Sequence, residues 1–244
     1  MRKGLRAYVA EFIGTFILVF GGTSAVLGHS LLNFGDSAGV IVPLAFGLSL
    51  VVGIFALGHI SGAHFNPAVT LAFAASRKNF AWADVPGYLL GQLGGATAAA
   101  AVLALCFGTA QGFTTAPTVP NTIGGVGVST MAVAVFEFLA TFVLMFVITA
   151  VATDTRIQGV PAGLAIGFTV AAMALGTGWV GGGSFNPARS FGPALIGGVW
   201  TQHWLYWVFP ILGAIAAVFV YDFVRGPGDP APAAPPVMRD PTVG

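Results

Sequence analysis

Charge is what this chain lacks most. Lysine, arginine, aspartate and glutamate make up only 7% of its 244 residues, against about 25% in soluble domains. With 56% hydrophobic residues and a mean hydropathy of +0.89, the composition excludes a soluble domain and requires an integral membrane protein. The net charge of +1 and the scatter of its basic residues exclude a nucleic-acid surface. Cysteine is nearly absent as well. A lone Cys106, inside an apolar run, rules out a disulfide framework and a cysteine metal site and reads as a small buried hydrophobe. No nucleophile–base pair, metal-ligand cluster or phosphate-binding loop is visible, so neither an enzyme nor a cofactor is expected.

What the chain does have is long apolar runs. A bilayer-spanning helix needs about 20 apolar residues, and six stretches qualify: 7–27, 40–58, 85–107, 131–152, 160–178 and 203–224. The first has a basic start, but Glu11 interrupts it and no cleavage site follows. It reads as a transmembrane helix rather than a signal peptide. Arg2, Lys3 and Arg6, then Arg77 and Lys78, Arg156, Arg225 and Arg239 all fall on one side of such a topology. The positive-inside rule makes that side cytoplasmic, with both ends of the chain there. The opposite connections, 28–39, 108–130 and 179–202, hold a single basic residue, Arg189. The connection 108–130 reads as a Gly-, Thr- and Pro-rich join, and the Pro-rich 226–244 as a disordered tail.

Two further apolar stretches, 67–76 and 187–197, are too short to span. Each opens on Asn-Pro, at Asn66-Pro67 and Asn186-Pro187. Asparagine is a favoured N-cap and proline a favoured first helical residue. About ten helical residues rise about 15 Å, half the hydrocarbon thickness. The flanking sequence also repeats: AEFIGTF (10–16) and SGAHFNPAVT (61–70) are echoed by FEFLATF (136–142) and GGGSFNPARS (181–190). Three crossings per repeat, about 7–107 and 131–224, oblige the second repeat to insert upside down relative to the first. The half-helices then enter from opposite faces and meet at their Asn-Pro tips. Irregular backbone at that depth is tolerated where it lines a watery cavity, which points to Gly62, Ala63, His64, Phe65, Gly182 and Ser184 as pore-lining backbone. Glu11 and Glu137, at matching places inside spanning helices, are expected to accept from backbone N–H groups of these loops; a proton relay is the sharper alternative. His64 reads equally as a pore-side donor or as a packing residue.

These motifs, with GHISGAHFNPAVT (58–70) and FNPARSFGPAL (185–195), resemble the aquaporin, or major intrinsic protein, family over about residues 5–225. The resemblance implies an all-α membrane protein with six transmembrane helices plus two re-entrant half-helices in two inverted repeats. It further implies a pore in each subunit, a homotetramer in a cell membrane, and passage of water. By the family pattern Asn66, Pro67, Ala68, Asn186, Pro187 and Ala188 form the central constriction, and Phe46, Ala174, Gly183 and Arg189 the selectivity filter. Strict water channels carry histidine on the fifth crossing, where this chain has Ala174; no histidine occurs between His64 and His203. The filter should therefore be wider, admitting ammonia, urea, hydrogen peroxide or glycerol besides water. Ser190, Ala194 and the pair Tyr206-Trp207 instead match the water-channel pattern. Composition suggests a bacterial inner membrane. An ion-coupled transporter, the runner-up class, would want an acidic coupling site on the path, and only Glu11 and Glu137 are candidates.

Overall fold

A computed structural model describes residues 3–32, 34–76, 80–108, 128–154, 156–157 and 161–226. Arg77 and Lys78, most of the 108–130 connection and the tail beyond Gly226 lie outside the described residues. Among those described there is no strand. Eight α-helices follow in order: α1 Leu5–Leu32, α2 Ala38–Ser61, α3 Pro67–Ala75, α4 Val85–Phe107, α5 Thr130–Thr153, α6 Ala162–Gly181, α7 Pro187–Gly197 and α8 Leu205–Arg225. Six are long and apolar enough to cross a membrane.

The helices overrun the hydropathy segments mostly at their ends, because hydropathy marks the part inside lipid and helices project beyond it. α1 continues to Leu32, for example, and its 28 residues rise about 42 Å. α6 begins two residues later than its apolar run because Pro161 has ψ 87°, outside the helical region. It ends on Gly182 at φ 87°, as α2 ends on Gly62 at φ 95°. Left-handed glycine is a common helix stop, and here it turns each chain back toward the membrane centre. The chain then runs through three residues to an extended Asn66 or Asn186, whose side-chain oxygen accepts from the N–H of Ala68 or Ala188 at 2.9 Å. Proline follows in both cases, so α3 and α7 start as a cap plus a preset first turn.

Helix pairing follows the internal repeat. α1 packs on α2 and α4, as α5 packs on α6 and α8; α2 and α6 meet at the centre. The half-helices cross over: α3 lies against α8 and α7 against α4, each in the other repeat. Close approach is built from small residues, the membrane substitute for a hydrophobic driving force. A Cβ on Gly47 would sit 2.6 Å from the Gly167 carbonyl, and one on Gly167 would sit 2.6 Å from that of Gly47. Side chains are inverted relative to a soluble protein. Leu105, Phe223 and Leu90 are 73–87% exposed, while Glu11, Gln92 and Glu137 are fully or nearly fully buried. Cys106 lies on the exposed surface of α4 rather than in the core, because α4 turns that face outward with Leu105.

At the end of α5, Asp154 braces the helix against α8. It binds Arg156 through Nη2 at 2.7 Å, Arg225 Nε at 2.9 Å and the Tyr221 hydroxyl at 2.8 Å. The Arg156 guanidinium and backbone N–H, followed by Tyr221 and Arg225, hold its carboxyl well below the usual carboxylate range.

Candidate functional site

A cavity of about 540 Å³ runs between the repeats, from Lys3, Ala152, Thr153 and Ala162 at one end to Phe46, Ala174, Gly183 and Arg189 at the other. One wall is apolar, made by Leu18 of α1, Leu50 and Ile54 of α2, Leu144 and Ile148 of α5, and Ile166 and Val170 of α6. The other is polar backbone, contributed by Gly62–His64 and Asn66 and by Gly183–Asn186. Among the described residues no protein group donates to the carbonyls of Gly62, Ala63, His64, Gly183 or Ser184. These acceptors therefore sit on the cavity wall with hydrogen-bonding capacity for a small polar solute.

The two loops hold each other at the midpoint. Asn66 Nδ2 donates to the Phe185 carbonyl at 2.7 Å, and Asn186 Nδ2 donates to the Phe65 carbonyl at 2.8 Å. Each side-chain amide carries two N–H groups; one is engaged in this exchange, and both asparagines line the cavity. Pro67, Ala68, Pro187 and Ala188 lie behind them in buried first turns. Phe65 and Phe185 adopt φ 49° and 55°, costly for residues with a Cβ. Both are pinned on two sides, by the partner loop's asparagine at the carbonyl and by a glutamate at the N–H.

That glutamate is Glu11 for one loop and Glu137 for the other. Glu11 accepts from the N–H of His64 at 3.0 Å and of Phe65 at 2.7 Å. Glu137 accepts from Ser184 at 2.7 Å and Phe185 at 2.8 Å. A buried carboxylate is tolerated when its lone pairs are filled by such donors. Neither glutamate is among the cavity-lining residues; both carboxylates are turned to the loop N–H groups, as expected of a supporting role.

Two residues expected on the pore-lining backbone are set back from it. Phe65 is fully buried, with its carbonyl turned to Asn186. Gly182 gives its carbonyl to Arg189 Nη2 at 2.9 Å. His64 is both a cavity residue and a packing residue, but its ring offers the cavity no donor. It lines the cavity, and its ring packs among Phe73, Phe80 and Tyr88. Its Nδ1 lies 3.0 Å from Thr70 Oγ1. That hydroxyl accepts from Gln92 Nε2 and donates to the Asn66 carbonyl, so the arrangement that satisfies all three places the ring proton on Nδ1.

At the Arg189 end the guanidinium stacks over the Phe46 ring, 4.4 Å from its centroid. Phe46 in turn seats on Gly22, where a Cβ would come within 2.1 Å of the ring. Ala174 and Gly183 complete this end without bulky side chains. Gly183 is fixed as glycine by its φ of 59° and by α6, whose Gly178 Cα would be 3.1 Å from any added Cβ.

Several contributors escape single-residue reading. Tyr88 donates to the Ser61 carbonyl at 2.5 Å and Tyr206 to the Gly181 carbonyl at 2.8 Å. These are equivalent locks, closing the last carbonyls of α2 and α6. Gln92 donates to Glu11 at 2.7 Å. Aligning the two repeats beyond their motifs would have paired Tyr88 with Tyr206; nothing in the sequence singles out Gln92.

Comparison with known proteins agrees with this architecture. Residues 1–221 match the family model described as major intrinsic protein. Aquaporin NIP1-1 of Oryza sativa subsp. japonica is 45% identical over 222 residues, covering 91% of this chain and 75% of that protein. Nodulin-26 of Glycine max is 44% identical, covering 91% and 78%. In the X-ray structure of the aquaglyceroporin from Plasmodium falciparum the fold recurs with a TM-score of 0.78 at 25% identity, over 90% of this chain and 96% of that one. These eukaryotic matches lend no support to the bacterial source suggested by composition.

Proposed function

This chain belongs to the major intrinsic protein family, and from that premise we propose that its cavity is a passive pore for water and small neutral solutes that excludes ions and protons. As a member of a family of passive channels it is not an enzyme. The observation that carries the proposal is the reciprocal Asn66–Phe185 and Asn186–Phe65 bonding at the midpoint of a cavity with one apolar and one carbonyl-lined wall. A water at that point meets amide donors at the centre and carbonyl acceptors before and after, so its oxygen and hydrogens are oriented in opposite senses in the two halves. Ions meet a different balance. The N-termini of α3 and α7 converge there, each carrying about half a positive charge, and Arg189 adds a full one.

Phe46, Ala174, Gly183 and Arg189 act as the selectivity filter in this reading. With no side chain at Gly183 and a methyl at Ala174, the filter admits solutes wider than water, and ammonia, urea, hydrogen peroxide and glycerol are the class to try. The Arg189 end faces outward and the Lys3 end the cytoplasm, in a homotetramer in the plasma membrane. Residues 1–225 make the channel unit. The test is stopped-flow light scattering on proteoliposomes, with water and each solute in turn. Wild-type vesicles no more permeable than empty ones to any of them would refute the proposal.

A further inference from the structure

The end of the cavity opposite Arg189 holds a second cation. Lys3 lines the same cavity although it precedes α1, and it is fixed at both backbone and side chain. Its main-chain N–H donates to Asp84 Oδ2 at 3.0 Å, across 81 residues of sequence. Its Nζ donates to the carbonyl of Ser61, the last residue of α2, at 3.3 Å. Tyr8 strengthens the tether: its hydroxyl lies 3.2 Å from the Lys3 carbonyl and 2.9 Å from Asp84 Oδ1. Asp84 itself is 1% exposed.

We propose that Lys3 is a specificity-determining residue of this pore: a fixed positive charge at the mouth opposite Arg189 that repels entering cations, with Asp84 as its positioning residue. The inference rests on the pore reading above. Three features separate Lys3 from an ordinary solvated lysine. Its backbone is bound to a buried carboxylate, which a surface lysine does not need. Among the described residues its ammonium forms no ion pair; the Asp84 carboxylate holds its main-chain N–H and not its ammonium. The ammonium carries three N–H donors, and one holds the Ser61 carbonyl, whose other partner is Tyr88. Two donors are left for water or for a solute oxygen at the mouth. The pore would then be guarded at both ends by a cation that also donates hydrogen bonds. A neutral solute can accept these bonds, whereas a cation is only repelled.

Removing Lys3 alone leaves the barrier at Arg189 in place, so the test uses an Arg189→Val background. Proteoliposomes of the full chain are assayed for sodium leak and for water permeability, and the ratio of the two is compared. Adding Lys3→Gln is expected to raise that ratio by about tenfold, the scale of one unit charge at a partly watered mouth. Adding Lys3→Arg keeps the charge and should leave the ratio as in Arg189→Val alone; a ratio as high as that of Lys3→Gln would count against the charge. Tyr8→Phe loosens the tether without changing any charge, and should raise the ratio by less than Lys3→Gln does. A Lys3→Gln double variant that passes water with the same ratio as Arg189→Val overturns the assignment. Wild-type water flux, measured in parallel, reports on the pore reading separately.

Discussion

Replacing Glu137 tests most directly whether carboxylates hold the irregular loops in place. In the structure its two oxygens accept from the N–H groups of Ser184 and Phe185, at 2.7 and 2.8 Å, inside a site it fills with 2% exposure. Glu137→Gln keeps the shape and one acceptor oxygen but points an NH2 group at the second N–H, leaving one buried donor unsatisfied. Hydrogen bonds to a charged group contribute about 1.5–3 kcal/mol each. At about 2–4 °C per kcal/mol for a chain of this size, the melting temperature of the detergent-solubilised protein should fall by about 3–12 °C. Glu137→Leu orphans both donors and should lower it roughly twice as far. Removing the charge also removes the cost of burying it, so these are upper figures. Permeability should fall with stability, because Phe185 at φ 55° loses one of its two restraints and its carbonyl drifts from Asn66. If Glu137→Leu melts with the wild type and conducts as well, the carboxylate is not what holds the loop.

Two further outcomes follow from other parts of the structure. Ala174→His puts an imidazole across the Arg189 end of the cavity; glycerol and urea flux should drop by on the order of tenfold and water flux by less. If those solutes pass unchanged while water alone slows, the residue is not in the filter. Asp154 sets an acid limit on stability. Its folded-state pKa is depressed by Arg156, Tyr221 and Arg225, so its contribution is fully present above the unfolded carboxylate value and is lost only as pH falls through the folded one. Asp154→Asn should therefore melt below the wild type by the same margin at every pH from 5 to 9, and that margin should shrink under stronger acid; a margin that varies across the neutral range would count against the clamp.

Much of the architecture is legible in the sequence, for a physical reason. Lipid obliges each crossing to be a helix of nearly fixed length, and Asn-Pro at 66–67 and 186–187 marks two helix starts that cannot be crossings. What hides is whatever depends on the angle of a group rather than on its identity. Gly182 and Phe65 look like pore wall in the sequence, yet their carbonyls turn to Arg189 and Asn186 instead. Lys3 looks like one more cytoplasmic charge until Asp84 is seen to hold it at the cavity. Cys106 sits in an apolar run, and only the facing of α4 decides whether that means core or lipid.

The exchange between Asn66 and Asn186 also bears on how such a chain is made. Its two bonds join residues 119 and 121 positions apart, so neither loop has its full set of partners until α7 has entered the membrane. The first repeat emerges from the ribosome and inserts well before that point. During the interval the Phe65 carbonyl and the Asn66 amide lack the other half of their exchange, and only water or insertion machinery can satisfy them. A substitution at Asn186 would thus leave the Phe65 carbonyl without this donor even after the second repeat has inserted.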